Sequence, residues 1–367
     1  MGNWRNVPSH MYKQFRILDL FSGAGGFSCG LEMNRGFSTE VATDFNAEAL
    51  NTFKKNFPKA DCILGNICEP EIKQKIIGKA QERNVNLIVG GPPCQGFSLK
   101  GKKLGLDDPR NFLFLEYVDI VRAIRPEVFV IENVKSLISA CKGFFIQQIQ
   151  ERFSELGYKI SYGVLCAYDF GVPQTRERTI IIGSLNGKIT LPKHNNTPYR
   201  TVRDAISDLA YLESGEGNEI SDYQNSAEND YQRFLRQNST KLYNHKATSH
   251  SEIALKKLRM IPPEGDKRSM PTEFHGRQQF ATTWGRLVWD KPSPTIDTRF
   301  DTPSNGRNSH PYLNRAITPR EAARIQSFPD SFVFYGKKCS ICRQIGNAVP
   351  PLLAKAIGEH IQNSFSK

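Results

Sequence analysis

The sequence predicts an α/β fold: a doubly wound, mostly parallel sheet joined to a second, smaller and irregular domain. Three observations carry this. Short apolar runs alternate with segments of helical apolar spacing through the first half of the chain, the pattern of repeated βα units with right-handed crossovers. A glycine-rich turn follows the first apolar run directly, and such turns let backbone approach a ligand closely. After Gly183 the periodicity weakens, and from about 186 to 315 the chain is polar and rich in Asn, Ser, Pro and Gly. A length of 367 residues suits two domains, one of them large enough for a full α/β core.

The elements follow in order. Phe15–Phe21 is the first strand, and the glycines after it open a helix. Glu40–Thr43 is the second strand, followed by a helix near Asn46–Asn56. Asp61–Leu64 is a short third strand, and the apolar run Val85–Val89 reads as a fourth, buried on both faces. Asn111–Ala123 has helical spacing and leads to a fifth strand, Glu127–Ile131. A helix near Phe144–Leu156 precedes strands near Ile160–Leu165 and Thr179–Ile182. Helical pattern returns at Thr318-Pro319-Arg320-Glu321, where Thr is the N-cap, Pro the first helical residue and Glu the other half of a capping box. A last helix runs from about Pro351 to Phe365. The expected division is 1–190, 191–329 and a C-terminal segment 330–367 that returns to the first domain.

Composition narrows the function. No apolar run approaches the roughly 18 residues of a membrane helix, and the N-terminus lacks a secretory h-region. The eight cysteines are scattered, as in a reducing compartment. Cys339 and Cys342 form a lone pair, with no second pair or His cluster to complete a zinc site, so no metal is expected. The net charge of +12 favours a polyanionic partner, nucleic acid first. Residues 231–261 carry Arg233, Arg236, Lys241, Lys246, Lys256, Lys257 and Arg259 against one acid, Glu252, which suits a one-sided binding face.

Two sets of residues carry chemistry. Gly23, Gly25 and Gly26 form the loop after the first strand, but Ser28 leaves the pattern G-x-G-x-x-G incomplete, so the loop alone does not separate NAD from S-adenosylmethionine. Asp44, ending the second strand, suits ribose hydroxyls; Phe45 suits stacking on adenine; Asn66, ending the third, suits an adenine edge. The second set lies further along. The fourth strand runs into Gly90-Gly91-Pro92-Pro93, which stop it and fix a turn, and Cys94 follows on that stiff loop. A cysteine there is presented to a ligand, where a free cysteine is otherwise a small core residue. Glu132 ends the fifth strand on the same rim, and Arg176 and Arg178 sit two apart on an extended segment, pointing the same way.

These segments, in this order, closely resemble the DNA (cytosine-5)-methyltransferases, especially the compact bacterial enzymes of restriction-modification systems. The resemblance rests on Asp19–Gly26, Asp44-Phe45, Gly65–Ile67, Gly91–Ser98, Asp108–Phe114, Glu132–Val134, Gln174–Arg178, Arg286–Thr298 and Gln344–Pro350. It implies a Rossmann-like, S-adenosylmethionine-dependent fold and a cytoplasmic monomer acting on double-stranded DNA, with a separate cognate restriction endonuclease left open. It makes Cys94 the nucleophile that adds to C6 of a flipped cytosine, and Glu132 the group at N3 and the 4-amino group, with a raised pKa if it donates there. Arg178 and Arg176 would hold O2. Phe21, Gly23, Gly25, Gly26, Asp44, Phe45, Asn66, Ile67, Pro92, Leu113, Asn347 and Val349 would bind S-adenosylmethionine, leaving S-adenosylhomocysteine as product. Ser98, Lys100, Lys102 and Lys103 would form a mobile DNA-binding loop. The segment between 186 and 283 matches the variable target-recognition region, and residues 191–283 would read the site in the major groove. Asn66 stands where many relatives have Asp, and Asp44 where many have Glu. RNA cytosine-5 methylation, a catalytically silent DNA-binding protein and an NAD-linked oxidoreductase are the rival readings.

Overall fold

The computed structural model describes residues 12–93, 112–194, 197–276 and 282–365. These fall into two compact units. The first takes the chain up to Leu165, then Glu177–His194 and Pro351 onward; the second takes Cys166–Arg176 and the described part of 195–350. Residues 330–350 of the expected C-terminal segment thus fall in the second unit, and only the chain from Pro351 belongs to the first.

In the first unit the elements are β1 (Phe15–Leu20), α1 (Gly26–Glu32), β2 (Phe37–Asp44), α2 (Ala47–Asn56), β3 (Asp61–Leu64), α3 (Pro70–Glu82), β4 (Leu87–Gly90), α4 (Phe112–Ile124), β5 (Val128–Val134), α5 (Phe144–Glu155), β6 (Lys159–Cys166) and β7 (Glu177–Ser184). The seven strands form one sheet in the order β3-β2-β1-β4-β5-β7-β6. β1 pairs in parallel with β2 and β4, as do β2 with β3 and β4 with β5. β7 is inserted antiparallel against β5. The mostly parallel α/β sheet is therefore present, and all seven predicted strands belong to it.

Its core explains the strand order. β4, whose residues are Leu-Ile-Val-Gly, is buried along its whole length, as a central parallel strand requires. Leu18, Leu20, Ile88, Phe129, Ile131, Tyr117, Val121 and Phe153 gather in one apolar cluster under α4 and α5. The C-terminal helix Pro351–Phe365 packs on α1. Asn34 donates to the carbonyl of Lys355 at 3.0 Å, and Gly30 has no room for a Cβ because the Pro351 carbonyl fills that space.

The second unit holds α6 (Val202–Ile206), β8 (Gly217–Ser221), α7 (Asp230–Leu235), β9 (Leu242–Lys246), α8 (Glu252–Arg259), α9 (Pro319–Ile325) and α10 (Lys338–Asn347). β8 and β9 form a small antiparallel ribbon. The capping box at Thr318 is formed on both sides, and every residue of α9 is buried. The helix carries charge into the core because each charge has a partner. Arg324 pairs with Asp208 at 2.5 Å and Asp330 at 2.6 Å, and Arg315 with Glu321 at 2.8 Å. Burial alone would raise the Glu321 carboxyl, but the Arg315 guanidinium prevails and holds it at about 2.

Candidate active site at the carboxyl rim of the sheet

The rim above β1, β2 and β3 is organised around Asp44. Its Oδ2 accepts from the Gly23 N–H and its Oδ1 from the Asn46 N–H, both at 2.8 Å. The same residue's carbonyl accepts from the Gly65 N–H at 3.2 Å, so the ends of three strands are tied together. Burial raises the Asp44 carboxyl, and the N–H groups of Asn46, Gly23 and Phe45 pull it back down. Gly23 has a left-handed φ of 54°, and a Cβ built there would meet nothing within 4 Å, so its backbone faces open space. Gly25 precedes α1 with φ 101°, and a Cβ there would strike Phe57 at 2.6 Å. Gly26 is the first residue of α1 and is buried. Phe21 also has positive φ, at 56°, and is packed partly against the core.

Phe45 is 74% exposed, an unusual state for a phenylalanine and one that suits a stacking surface. Asn66 is exposed, and its Oδ1 accepts from the Cys68 N–H at 3.1 Å, while Ile67 is buried in the core cluster. Ser28, which spoils the glycine pattern, has a role of its own. It donates to the buried Asp19 Oδ2 at 2.6 Å, beneath the loop. Burial lifts the Asp19 carboxyl to about 7, and the Ser28 hydroxyl restrains the rise. Gly23, Asp44, Phe45 and Asn66 thus offer an open backbone, an acceptor pair, a ring face and an amide along one rim. That set fits an adenosine-bearing group. Leu113, in α4, is partly buried and packs against the apolar core.

The second cluster sits where β4, β5 and β7 meet. In the β5–β7 ladder Glu132 lies opposite Ile180 and Val134 opposite Arg178, so Glu132 and Arg178 are diagonal neighbours on one face. Arg178 Nε reaches Glu132 Oε1 at 2.9 Å, and both side chains are largely buried. Arg178 also donates to the Glu177 carbonyl at 2.8 Å, while the Glu177 carboxylate is held by Lys135 at 2.8 Å. The other carboxylate oxygen of Glu132 faces Gly91; a Cβ there would approach it to 3.1 Å. Pro92 is buried, and its carbonyl accepts from Asn133 Nδ2 at 2.8 Å. Asn133 entered the sequence reading only within the Glu132–Val134 segment, without a role of its own.

Arg176 departs from expectation. Its side chain is buried in the second unit, donating to the carbonyls of Ile296 at 3.2 Å and Gly346 at 2.9 Å. It does not point with Arg178. The first follows the loop before β7 and the second is already in the ladder, so the alternation of an extended segment does not run across them. Asn347 is exposed and Val349 buried, both in the second unit. The basic run of 231–261 is also less open than its count suggests. Arg236 is paired with buried Asp208, Arg233 with Asp230 at 2.6 Å, Lys241 with Asp222 at 2.6 Å and Arg259 with Glu252 at 3.6 Å. Cys94, Ser98, Lys100, Lys102 and Lys103 lie outside the described residues.

The chain is similar to known proteins along nearly its whole length. The profile of the C-5 cytosine-specific DNA methylases matches residues 15–363. The Type II methyltransferase M1.HphI of Haemophilus parahaemolyticus is 38% identical over 94% of this chain and 86% of its own length. M.DdeI of Desulfomicrobium norvegicum is 37% identical over 95% of this chain and 89% of its own. Among solved structures, a prophage-encoded DNA modification methyltransferase from E. coli superposes with a TM-score of 0.77 at 25% identity, covering 96% of this chain and 100% of that one.

Proposed function

This chain belongs to the C-5 cytosine-specific DNA methylase family and methylates cytosine in DNA, and from that premise we propose how its own residues divide the work. The observation that supports the division best is the Glu132–Arg178 pair, set at the rim beside the Gly91-Pro92 turn that leads to Cys94.

Cytosine C5 is too electron-poor to attack a methyl group unaided. The Cys94 thiolate adds to C6, and the electron pair of the C5–C6 bond becomes available at C5. Free cysteine has a pKa of about 8.5, so the site must favour thiolate at working pH. Glu132 contacts N3 and the 4-amino group and draws charge from the ring as Cys94 attacks. Arg178 holds Glu132 before the base arrives and stabilises the negative charge that develops at O2. Bound at the rim of Asp44 and Phe45, S-adenosylmethionine supplies an electrophilic methyl group. Gly23, Gly25 and Gly26 would give its backbone seat, Asp44 its ribose contact, and Phe45, Asn66 and Ile67 its adenine edge; the family resemblance adds Phe21, Pro92, Leu113, Asn347 and Val349 as further cofactor residues. Once C5 is methylated, it loses its proton and Cys94 is eliminated from C6.

The target carbons lie inside the base stack, so the nucleotide must be flipped out, with Ser98, Lys100, Lys102 and Lys103 closing on the backbone. Residues 191–283 read the sequence of duplex DNA, as in the modification half of a restriction-modification pair. The enzyme works as a cytoplasmic monomer. Among the described residues no helix is long and apolar enough to cross a membrane.

The test is direct. The purified protein with labelled S-adenosylmethionine should transfer label to unmethylated duplex DNA and form a stable complex with 5-fluorocytosine DNA, because fluorine does not leave as the proton does. Cys94→Ser should abolish both. Undiminished transfer by that variant would sink the covalent mechanism.

A further inference from the structure

We propose that Asn133 is a positioning residue for methyl transfer: its side-chain amide sets the turn that carries Cys94 against the strand that carries Glu132. The inference rests on the chemistry just assigned to those two residues. β4 leaves its ladder with β5 at Gly90, which lies opposite Ile131. Continued by two residues, the same register would bring Pro92 alongside Asn133. Two prolines there supply no N–H, and the backbone turns away from the sheet. The Pro92 carbonyl is instead taken by a side chain, Asn133 Nδ2, at 2.8 Å in a buried setting.

The amide cannot turn round. Its Oδ1 accepts from the Val134 N–H at 2.9 Å, which leaves the NH₂ group facing Pro92. Val134 is anchored in turn from β7, where the buried Thr179 hydroxyl donates to its carbonyl at 3.1 Å. Thr179 lies opposite Asn133 in the ladder, on the face away from Glu132 and Arg178. One side of β5 therefore holds the acid and its arginine, and the other holds a relay of fixed donors running from β7 to the turn. Asn133 is the neighbour of Glu132 in sequence and the clamp on Pro92, two residues before Cys94. It ties the turn that leads to Cys94 to the strand that carries Glu132. A misplacement of reacting groups by 1 Å costs on the order of 100-fold in rate.

The experiment compares Asn133→Asp, equal in size but with an acceptor where the donor stood, and Asn133→Ala, which removes the contact. In both, kcat should fall roughly 10- to 100-fold while KM for DNA and binding of S-adenosylhomocysteine stay close to wild type; the melt, lowered by the unpaired Pro92 carbonyl, should stay cooperative. Trapping on 5-fluorocytosine DNA should slow by the same factor as kcat. Wild-type rates of turnover and trapping in both variants would overturn the proposal. So would loss of cofactor binding and of cooperative melting in step with the rate, which would make Asn133 a packing residue. A wild-type protein that traps no 5-fluorocytosine DNA would count against the covalent mechanism instead, so the two failures are told apart.

Discussion

Adjacent glycines at the end of β4 should fail in different ways when each is given one methyl group. At Gly91 a Cβ would stand 3.1 Å from Glu132 Oε2, where ordinary contact begins near 3.4 Å, and no left-handed φ demands glycine. The carboxylate must shift by about 0.3 Å, the difference between those two distances. If rate falls on the order of 100-fold per ångström, that shift costs about 4-fold, or ~0.8 kcal/mol of transition-state stabilisation. The stability cost is that of mild overpacking, about 1 kcal/mol. At Gly90 the new methyl would be driven into the Leu20 carbonyl of β1, which is backbone in a paired strand and cannot move aside. Gly91→Ala should therefore purify as a folded enzyme with kcat a few-fold down and cofactor binding intact. Gly90→Ala should lose its cooperative melt or fail to accumulate. Steady-state methylation and a thermal melt on the two proteins decide the matter. A Gly91→Ala enzyme at full rate, or one as unfolded as Gly90→Ala, would refute the placement of Glu132 Oε2 against the turn.

Other outcomes follow from the same geometry. Glu132→Gln should lose roughly 10²–10⁴-fold in methyl transfer, as removal of a proton-handling group does, with binding of S-adenosylhomocysteine retained in a calorimetric titration. Arg176→Met should lower the melting temperature instead of the chemistry per folded molecule, because the buried carbonyls of Ile296 and Gly346 lose donors, each worth about 1–3 kcal/mol. Burial pushes His245 down to about 4 and His310 down to about 3. Their folded values lie below the unfolded one, so the stability they contribute is full above about 6.5 and is lost as pH falls through the folded values. Urea midpoints measured from pH 7 to 4 should fall accordingly, and His245→Gln should flatten the decline.

Much of the scaffold was legible because it depends on local pattern. Apolar runs between glycines and polar turns marked each strand, and Thr318 with Glu321 marked the start of α9 from their spacing alone. Asp44, Phe45 and Asn66 could be placed together because the ends of successive parallel strands share one rim whatever their side chains. Other features depend on pairing register, which single residues do not reveal. The reversal of β7 puts Arg178 diagonally from Glu132, and the loop before it takes Arg176 elsewhere; neither follows from the two-residue spacing. The basic run of 231–261 read as an open face because two of its partners, Asp208 and Asp222, lie well before it and meet it only in the fold, while Asp230 stands just outside it, one turn before Arg233 on the same helix. Asn133 was read only as part of the Glu132–Val134 segment, because the carbonyl it serves is visible only in the fold.

The seating of the C-terminal helix on α1 fixes an order of events during synthesis. Asn34 and Lys355 are 321 residues apart, and between them lies nearly all of the second unit. At a few to some 20 residues added per second, the ribosome needs many seconds to cross that interval. Throughout, the side of α1 around Gly30 has no partner from residues 351–365. All of the second unit is therefore made before the first unit receives its last helix. A nascent chain, or one terminated before Pro351, therefore carries its second unit complete while α1 still lacks the helix that seats on it.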